Sequence, residues 1–589
     1  MRKLLPHIIL VFFAIWFFQR GVAPKKGEAV EWHKFSQLPI KYEGRMKPVD
    51  TFARNTLSIL AGKQSIRTES KKRISATQWL LETISNRAEA KDYRIFRIEN
   101  TDLLSTLHLK QRGGFRYSYR ELVPHLQRLE MLAQLVNAKN KNERDLYDEQ
   151  TLKLAVKIYR YENMLHSFED ASGISEERIM QTAQRFMQVE LGTLPLVIPP
   201  SSEDSSWRPL MSVLLENNPA MQRVSDRSTP PNQIAVDWGM MLQAFRSNNT
   251  TAFNEVLNDY YRQLAVEHPD WIKKTSYEVY YNRLDAFMKS AICYLLVFLL
   301  SCFGWLARKK TLIRLGLTLM VCAFIPHTLA IIARSFLSGY PPVTNLYSSA
   351  IFIGWAAVLA GILLERFYKK ADGMGNLAGS IAGFSTLLIA HFLAGDGDTM
   401  EQMRAVLDTR FWLTTHVITI SLGYMAVLLA GFLGIFYILS GVFTRRLDEE
   451  TRVAMDRMIY GTTCFSLLFS FIGTVLGGLW ADDSWGRFWG WDPKENGALL
   501  IVLWGAIMLH ARYGKLVKSR GFALMAVGGN IVVAWSWFGV NQLGMGLHSY
   551  GFTESATKWV SLLIFSQLFL ILVGSLPSRL WKSARGPSS

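Results

Sequence analysis

Cysteine is scarce in this chain: the 589 residues include only four, and all of them lie in apolar runs (Cys293, Cys302, Cys322 and Cys464). No Cys-x-x-Cys-His sequence occurs, which excludes a c-type cytochrome. Because no cysteine pair is available outside the apolar runs, a disulfide framework is also excluded from any part that lies outside a membrane.

A second absence divides the chain into two regions. From about Pro24 to Leu284 no apolar run is long enough to span a bilayer, whereas residues 286–589 contain one such run after another. The first region also lacks clustered metal ligands and any pairing of a nucleophile with a base. It is rich in charge, and its apolar spacing predicts mostly helix. A binding or scaffolding domain is the interpretation that fits.

The apolar runs predict an all-α, polytopic membrane protein with three parts. Residues 1–23 form an N-terminal anchor, favoured over a signal peptide because no clear small-x-small cleavage site is visible. Residues 24–285 form a mostly helical extracytoplasmic domain, and residues 286–589 form the polytopic domain. About nine spans of roughly 20 residues are predicted there, near 287–306, 313–336, 346–365, 377–394, 411–440, 459–480, 496–512, 521–540 and 559–577.

The formal net charge of +17 is concentrated in alternate connections between these spans. Lysine and arginine are missing from Leu337 to Asn345 and from Asn541 to Thr557, while the intervening connections are basic. By the positive-inside rule the basic connections are cytoplasmic. The N-terminal domain and the loop 480–495 are then both on the outer face. Since the charge is explained by topology, nucleic acid is excluded as a partner.

The loop 480–495, WADDSWGRFWGWDPKE, carries four of the 18 tryptophans of the chain. Acidic residues in this loop are poorly suited to hydrocarbon, which places it at the membrane surface. An interfacial aromatic belt would explain single tryptophans, but it requires neither this density nor the Trp-Gly-Trp-Asp-Pro run. A rigid aromatic shelf suits a flat, largely apolar ligand with polar edges, and a porphyrin is the obvious candidate.

Four histidines fall where the topology makes them candidates for haem ligation. His416 and His548 lie on the outer face, on either side of the tryptophan loop, and His327 and His510 lie within spans. Each histidine alone could be a neutral imidazole hydrogen-bonded to a neighbouring helix. Neutral imidazole is also a good axial ligand for haem iron. Two pairs at two depths predict two bis-histidine sites.

Residues 286–577 resemble the CcsA (CcsB-type) cytochrome c biogenesis protein of the System II haem lyase, a tryptophan-rich (WWD) haem-handling family. The tryptophan motif alone would also fit CcmC and CcmF of System I. The resemblance rests on five segments: SGYPPVTNLY (338–347), LDTRFWLTTH (407–416), WGRFWGWDPKE (485–495), LHARYG (509–514) and FGVNQLGMGLHSYG (538–551).

The resemblance implies a site and a substrate. It makes His416 and His548 the external ligands of haem b and His327 and His510 the intramembrane ligands, with Trp485, Trp489, Trp491, Asp492 and Pro493 in the shelf. Among the cations nearest in sequence (Arg487, Lys494 and Arg410), Arg487 is the candidate for the haem propionates. The implied partners are an apocytochrome c, a ResB/CcsB-like membrane protein, thiol-reducing proteins and membrane lipid.

The implied function is cytochrome c maturation at the bacterial inner membrane, with the soluble domain and the tryptophan loop on the periplasmic side. Haem moves to the outer site and is attached there to the two cysteines of a CXXCH apocytochrome, which makes the chain a component of a holocytochrome c synthase. The alternatives are a haem exporter without ligation activity and a haem-bearing transmembrane electron-transfer subunit.

Two further details belong to the resemblance. The N-terminal domain looks like the extension of some bacterial members, which carry a GR-x-KP-x-DT segment like Gly44–Thr51. Ser348 is a departure, because many members have glutamate at this position after Asn-Leu-Tyr.

Overall fold

The computed structural model divides the chain into two compact units. It describes residues 13, 15–17, 29–68, 70–140, 143–169, 183–184, 194–200, 206–218, 222, 230–401, 403, 409–543 and 554–584. The N-terminal unit comprises Arg20–Leu284 together with Gly395–Gln402. The membrane unit comprises Met1–Gln19, Asp285–Ala394 and Met403–Ser589. The predicted anchor at residues 1–23 lies outside the described residues except for residues 13 and 15–17.

Helices predominate in the N-terminal unit, as the apolar spacing predicts. Its strands form three antiparallel pairs: Pro39–Tyr42 (β1) with Arg45–Pro48 (β2), Ser65–Arg67 (β3) with Arg73–Ser75 (β4), and Arg94–Arg97 (β5) with Arg116–Ser118 (β6). Its helices of six or more residues are Trp32–Gln37 (α1), Val49–Ala61 (α2), Ala76–Ile84 (α3), Thr101–Thr106 (α4), Leu126–Asn137 (α5), Leu146–Ser167 (α6), Leu210–Asn217 (α7), Gln233–Arg246 (α8), Thr250–Glu267 (α9) and Pro269–Leu284 (α10).

One hydrophobic core holds the N-terminal unit together. Wholly buried aromatic side chains, among them Trp79, Trp238 and Tyr161, bring helices from both ends of the unit into this core. Burying such side chains is worth several kcal/mol each, at roughly 25 cal/mol per Å² of apolar surface. The unit therefore has enough buried apolar surface to fold without disulfides.

Nine long helices make up the described part of the membrane unit from Ala286 onwards. They are Ala286–Leu306 (α11), Lys310–Ser338 (α12), Leu346–Phe367 (α13), Met374–Leu393 (α14), Ile418–Phe443 (α15), Glu449–Trp485 (α16), Pro493–Tyr513 (α17), Ser519–Ala534 (α18) and Glu554–Ser575 (α19). Each coincides with one predicted span, and the all-α polytopic fold is confirmed.

Eight helices in the described residues are long and apolar enough to cross a membrane. Helix α17 is not among them, although it has 21 residues. Its first turn contains Lys494 and Glu495, and its last turn contains His510 and Arg512. These polar residues shorten the apolar stretch of the helix.

Candidate functional site

A cavity of about 230 Å³ lies inside the membrane unit. Parts of the chain that are far apart in sequence form its wall, including the segment after Pro342, the start of α15, the end of α16 and the start of α17. Among the described residues, its aromatic and histidine side chains are Trp480, Trp485, Phe488, Trp489, Trp537, Tyr424 and His416. The tryptophan motif and His416 therefore share one concave surface, as a ligand site requires.

His416 is oriented by a hydrogen bond to the backbone of α16. Its Nδ1 lies 2.8 Å from the carbonyl oxygen of Gly473. A carbonyl can only accept, so Nδ1 carries the proton and Nε2 has the lone pair of the neutral ring. A histidine that ligates a metal commonly makes this kind of bond through its other nitrogen. This contact is compatible with the predicted role of His416 as a ligand, which stays a prediction.

Two π-helical segments contribute to the cavity wall. Leu413–Val417 contains His416, and Trp535–Gly539 contains Trp537. A π-helical turn inserts an extra residue into a helix and redirects the side chains that follow, and such turns are frequent at functional sites. The apolar runs predicted uninterrupted helices at both places. Here the structure adds a local feature that redirects the two side chains.

The tryptophan shelf is present in part. Trp485 and Trp489 line the cavity, as does Phe488. Trp491 does not: it is 70% exposed and packs edge-on against Trp489, with ring centroids 6.2 Å apart. Trp491 has a φ of 57°, a conformation that is uncommon for a bulky residue. Trp491 therefore supports Trp489 from outside the cavity.

The Trp-Asp-Pro-Lys-Glu end of the motif is a helix start. Asp492 is the N-cap of α17, Pro493 occupies the first turn, and the side chain of Glu495 completes a capping box. Glu495 Oε2 also accepts from Gly490 N, at 2.8 Å. One carboxylate thus fixes the backbone between Trp489 and α17. The sequence interpretation placed Asp492 and Pro493 in the shelf, and the structure makes them its support.

Among the described residues, Lys494 is the cation that lines the cavity. Its Nζ donates to the carbonyl oxygen of Trp537 at 2.8 Å and to Asn541 Oδ1 at 3.1 Å, and the side chain lines the cavity. Arg487 and Arg410 are both described, and neither belongs to the cavity wall. The guanidinium of Arg487 instead lies against Gly490. A Cβ added at position 490 would be only 1.4 Å from Nη1 of Arg487.

Comparisons with known proteins give the family of this chain. Residues 343–548 match the family model described as "Cytochrome C assembly protein". CcsA of Synechococcus sp. (strain CC9605), a cytochrome c biogenesis protein, is 31% identical over 281 residues, which are 42% of this chain and 90% of that protein. The chain belongs to the CcsA family of cytochrome c biogenesis proteins.

Two more relatives show how far the similarity extends. CcsA of Guillardia theta is 30% identical over 261 residues, covering 40% of this chain and 84% of that protein. Protein NrfI of Wolinella succinogenes is 26% identical over 541 residues, which are 88% of this chain. Because 88% of this chain is covered, the similarity to NrfI includes most of the N-terminal unit as well as the CcsA part. The chain spans 54% of the length of NrfI.

The structure does not bring the predicted intramembrane pair of this CcsA-family protein to one cavity. His327 is wholly buried, with its Nδ1 3.1 Å from the hydroxyl of Tyr294 and its ring edge-on to Phe287. The exposed His510 has its Nδ1 2.8 Å from the carbonyl oxygen of Ala506. Neither residue, both described, lines the cavity around His416. The pairing stays a prediction.

His548 lies outside the described residues, so the second predicted outer ligand stays a prediction as well. The departure at Ser348 has a local explanation. Ser348 completes the capping box of α13, and its Oγ accepts from the backbone N of Thr344 and Asn345. A glutamate at the same helical position commonly makes this contact. Serine therefore preserves the helix start beside the cavity.

Sequence reasoning missed two contributors to the site, Trp537 and Gly477. Trp537 immediately precedes the FGVNQ segment and lines the cavity. Gly477 leaves room for the imidazole, because a Cβ there would be 2.6 Å from Cε1 of His416. The Gly477-Gly478 pair inside a long apolar helix was the available signal, since glycine in a helix interior often has a packing reason.

Proposed function

We propose that this protein brings haem to the cavity and presents it there for covalent attachment to an apocytochrome c. The observation that carries the proposal is His416, whose Nδ1 is bound to Gly473 O while the ring lies in an aromatic wall. The Trp480 ring is edge-on to the imidazole, with centroids 5.8 Å apart. A wall of rings favours a flat apolar macrocycle, and the imidazole offers the iron a nitrogen ligand.

Lys494 supplies the charge that haem requires. Haem has two carboxylate side chains, and Lys494 is a cation with its Nζ held at the cavity by two oxygen acceptors. We assign Lys494, rather than Arg487, as the partner of one propionate. An ammonium in a partly desolvated wall attracts a carboxylate more strongly than one in bulk water does.

The reaction itself needs little from the protein beyond position. Each thioether forms by addition of a cysteine S–H across a vinyl C=C bond of haem, so nothing leaves and no external oxidant is required. The chain binds the macrocycle, orients the vinyl groups and excludes water from the ring face. A histidine of the incoming CXXCH sequence then replaces one imidazole of the protein, which releases the product.

Orientation and partners are part of the same proposal. The basic connections support a position of the cavity on the periplasmic side of the bacterial inner membrane. The exposed edge of the tryptophan loop, including Trp491 at 70% exposure, is available there to an apocytochrome. A ResB/CcsB-like membrane protein and thiol-reducing proteins act with this chain, the latter keeping the two cysteines of the apocytochrome reduced.

Co-expression with a CXXCH apocytochrome in a host without its own lyase tests the proposal, with and without a ResB-like partner. We expect His416→Ala to lower thioether-linked haem at least tenfold and to remove the low-spin spectrum of the haem that co-purifies. Added imidazole should restore part of both, because it occupies the vacated coordination position.

His391→Ala is the matched control, since His391 is an exposed histidine of the membrane unit outside the cavity wall. It should mature cytochrome normally. Normal maturation by His416→Ala would contradict the proposal. If the wild type captures haem but forms no thioether with apocytochrome and partner present, the protein is an exporter. Permanent haem with reversible redox titration and no product would identify an electron-transfer subunit.

A further inference from the structure

The segment Gly44–Thr51, GRMKPVDT, is a motif that the haem site does not use. It begins at the turn between β1 and β2, where Glu43 and Gly44 have φ values of 50° and 79°. Two consecutive residues with positive φ are the mark of a two-residue type I′ hairpin. This turn sets the register Tyr42↔Arg45 and Ile40↔Lys47. The motif thus starts in a rigid hairpin.

The Arg-x-Lys spacing puts two cations on one face of β2, since alternate side chains of a strand point the same way. Arg45 is 9% exposed and Lys47 is 1% exposed. Arg45 makes a bidentate salt bridge with Glu278 of α10: Nη1 donates to Oε2 at 2.8 Å, and Nη2 donates to Oε1 at 3.0 Å. Both cations also reach Asp398, from Arg45 Nη2 at 2.9 Å and from Lys47 Nζ at 2.6 Å.

The Asp-Thr end of the motif supports the same cluster. The hydroxyl of Thr51 donates to Glu278 Oε1 at 2.7 Å and accepts from Asn282 Nδ2 at 2.8 Å. Asp50 accepts from Arg54 Nε at 2.7 Å. Glu278 is therefore held by the motif from two sides, and the polar residues of the motif serve one buried ion cluster.

Asp398 is the member of the cluster that comes from elsewhere in the chain. It belongs to Gly395–Gln402, which follows α14 and groups with the N-terminal unit. His416 comes 18 residues after Asp398 in the sequence. Asp398 is buried, and its Oδ1 accepts from Met400 N at 2.9 Å, which gives the segment its own turn.

Charge balance explains why the cluster needs this segment. Arg45 and Lys47 are two buried cations, and among the described residues of 20–284 the buried carboxylate that pairs with them is Glu278. Glu43 is 4.0 Å from Lys47 Nζ and 37% exposed, so water weakens that pairing. Asp398 brings the second buried negative charge. Without it the cluster keeps an uncompensated positive charge, which a buried site tolerates poorly.

We propose that the GRMKPVDT motif is an ionic latch: Arg45 and Lys47 capture Asp398 and thereby anchor the segment that leads from α14 to the His416 ligand. Asp398 is a positioning residue in this scheme. The anchoring stands on the ion cluster alone, and its effect on haem ligation rests on the proposed function. The N-terminal unit then has a specific task, which is to restrain the chain that carries a ligand of the site.

The test uses the full chain in detergent and in cells, with the variants Asp398→Asn, Lys47→Met and the two together. We expect Asp398→Asn to speed amide exchange in a peptide spanning residues 394–402 at least tenfold and to lower cytochrome maturation severalfold. The haem that remains should show a mixed-spin spectrum, because the imidazole of His416 is less well held. Glu401→Gln is the matched control, an exposed acid in the same segment that undergoes the same chemical change.

The double variant separates anchoring from general stability. Replacing Lys47 and Asp398 together removes both members of a buried pair, so the thermal stability of the N-terminal unit should recover while exchange stays fast and maturation stays low. If maturation recovers together with stability, the cluster is structural only and the latch is refuted. Unchanged exchange at 394–402 in Asp398→Asn refutes it as well. Either result leaves the His416→Ala test of the proposed function unaffected.

Discussion

A single face of α16 forms the contact surface for the His416 ring. Gly473 supplies the carbonyl oxygen that accepts from Nδ1, Gly477 supplies the space, and Trp480 supplies an edge-on ring. These positions are four and three residues apart, the spacing of side chains that share one side of a helix. The direction in which His416 presents Nε2 is therefore set by three residues that would never touch iron.

Gly477→Ala tests the contact surface that α16 provides for His416. A Cβ at position 477 would be 2.6 Å from Cε1 of His416, which is closer than real Cβ contacts, and 3.1 Å from Nδ1, which is unusually tight, so the ring must shift. We expect co-purified haem to fall severalfold and the low-spin spectrum to weaken. Imidazole should rescue this variant less well than His416→Ala, because the displaced ring still fills part of the cavity.

Gly461→Ala provides the comparison for that experiment. Gly461 lies on the same helix, and a Cβ added there meets no heavy atom within 4 Å. It should retain haem and mature cytochrome like the wild type. Equal haem loss in both alanine variants would attribute the effect to the helix as a whole rather than to the imidazole.

At the scale of the element, the start of α17 is where the tryptophan loop becomes rigid. Asp492 Oδ1 accepts from Lys494 N at 2.8 Å, and Glu495 Oε2 accepts from Asp492 N at 3.1 Å and from Gly490 N. A helix that begins at a defined residue directs its first side chains in a defined way. Lys494 faces the cavity for this reason, and Trp489 is held next to it.

Asp492→Ala is expected to cost about 1 kcal/mol of stability, within a range of roughly 0.5–2 kcal/mol, as N-cap removal typically does. We expect a much larger effect on haem, with most of the outer-site haem lost and the remainder still low-spin. The spectrum separates this variant from the His416 variants, because the loop is disturbed and the iron ligand is intact. Haem content and thermal stability are measured on the same preparation.

Asp448→Ala is the corresponding control. Asp448 is the N-cap of α16 and accepts from Thr451 N at 2.8 Å, far along the sequence from the tryptophan loop. The Asp448→Ala variant loses an N-cap side chain just as Asp492→Ala does, so its cost in stability should be similar. If Asp448→Ala depletes haem as strongly as Asp492→Ala does, the loss reflects weakened helices in general, and the special position of the WDPKE segment is disproved.

For the whole molecule, the division into two units matters because one of them takes a segment from the middle of the other. The N-terminal unit includes Gly395–Gln402, and the polar groups of GRMKPVDT converge on it through Asp398. Burial opposes ionisation of this carboxyl, but Arg45 and Lys47 outweigh burial and hold the pKa of Asp398 well below its usual range. The ionised form is thus part of the fold.

A pH dependence follows from this shift. The folded-state pKa of Asp398 is lower than the unfolded value of about 3.9. Its contribution to the free energy of unfolding is therefore present above about pH 4 and is lost as the pH falls toward the folded-state value. We expect the urea midpoint of the N-terminal unit, read by pulse proteolysis with pepsin, to drop more steeply below pH 4 in the wild type than in Asp398→Asn.

The slope of the free energy of unfolding against pH has an upper limit for a single carboxyl group. One carboxyl changes this free energy by at most about 1.4 kcal/mol per pH unit. Glu401→Gln should follow the wild-type curve. Parallel curves for wild type and Asp398→Asn would show that the ion cluster does not gain stability from this carboxyl.

The sequence by itself determined the membrane fold and singled out His416 and the tryptophan loop, which line one cavity. Helix positions from 287 onwards were predictable because an apolar run of about 20 residues has one solution in a bilayer, a helix with its backbone bonded internally. His416 and the tryptophan loop were predictable because an ionisable group and clustered rings at a membrane surface are costly without a purpose. Such features are local and are visible in a single stretch of chain.

Only the tertiary structure decided which side chains meet. Lys494 rather than Arg487 lines the cavity, Trp491 lies outside it, and Asp398 joins Arg45 across 353 positions of sequence. The π-helical segments that redirect His416 and Trp537 likewise leave the hydrophobic pattern unchanged. The periodicity of apolar residues indicates which face of a helix is apolar. Which helix faces then meet depends on how the helices pack. That packing is set by contacts between residues that are far apart in the sequence.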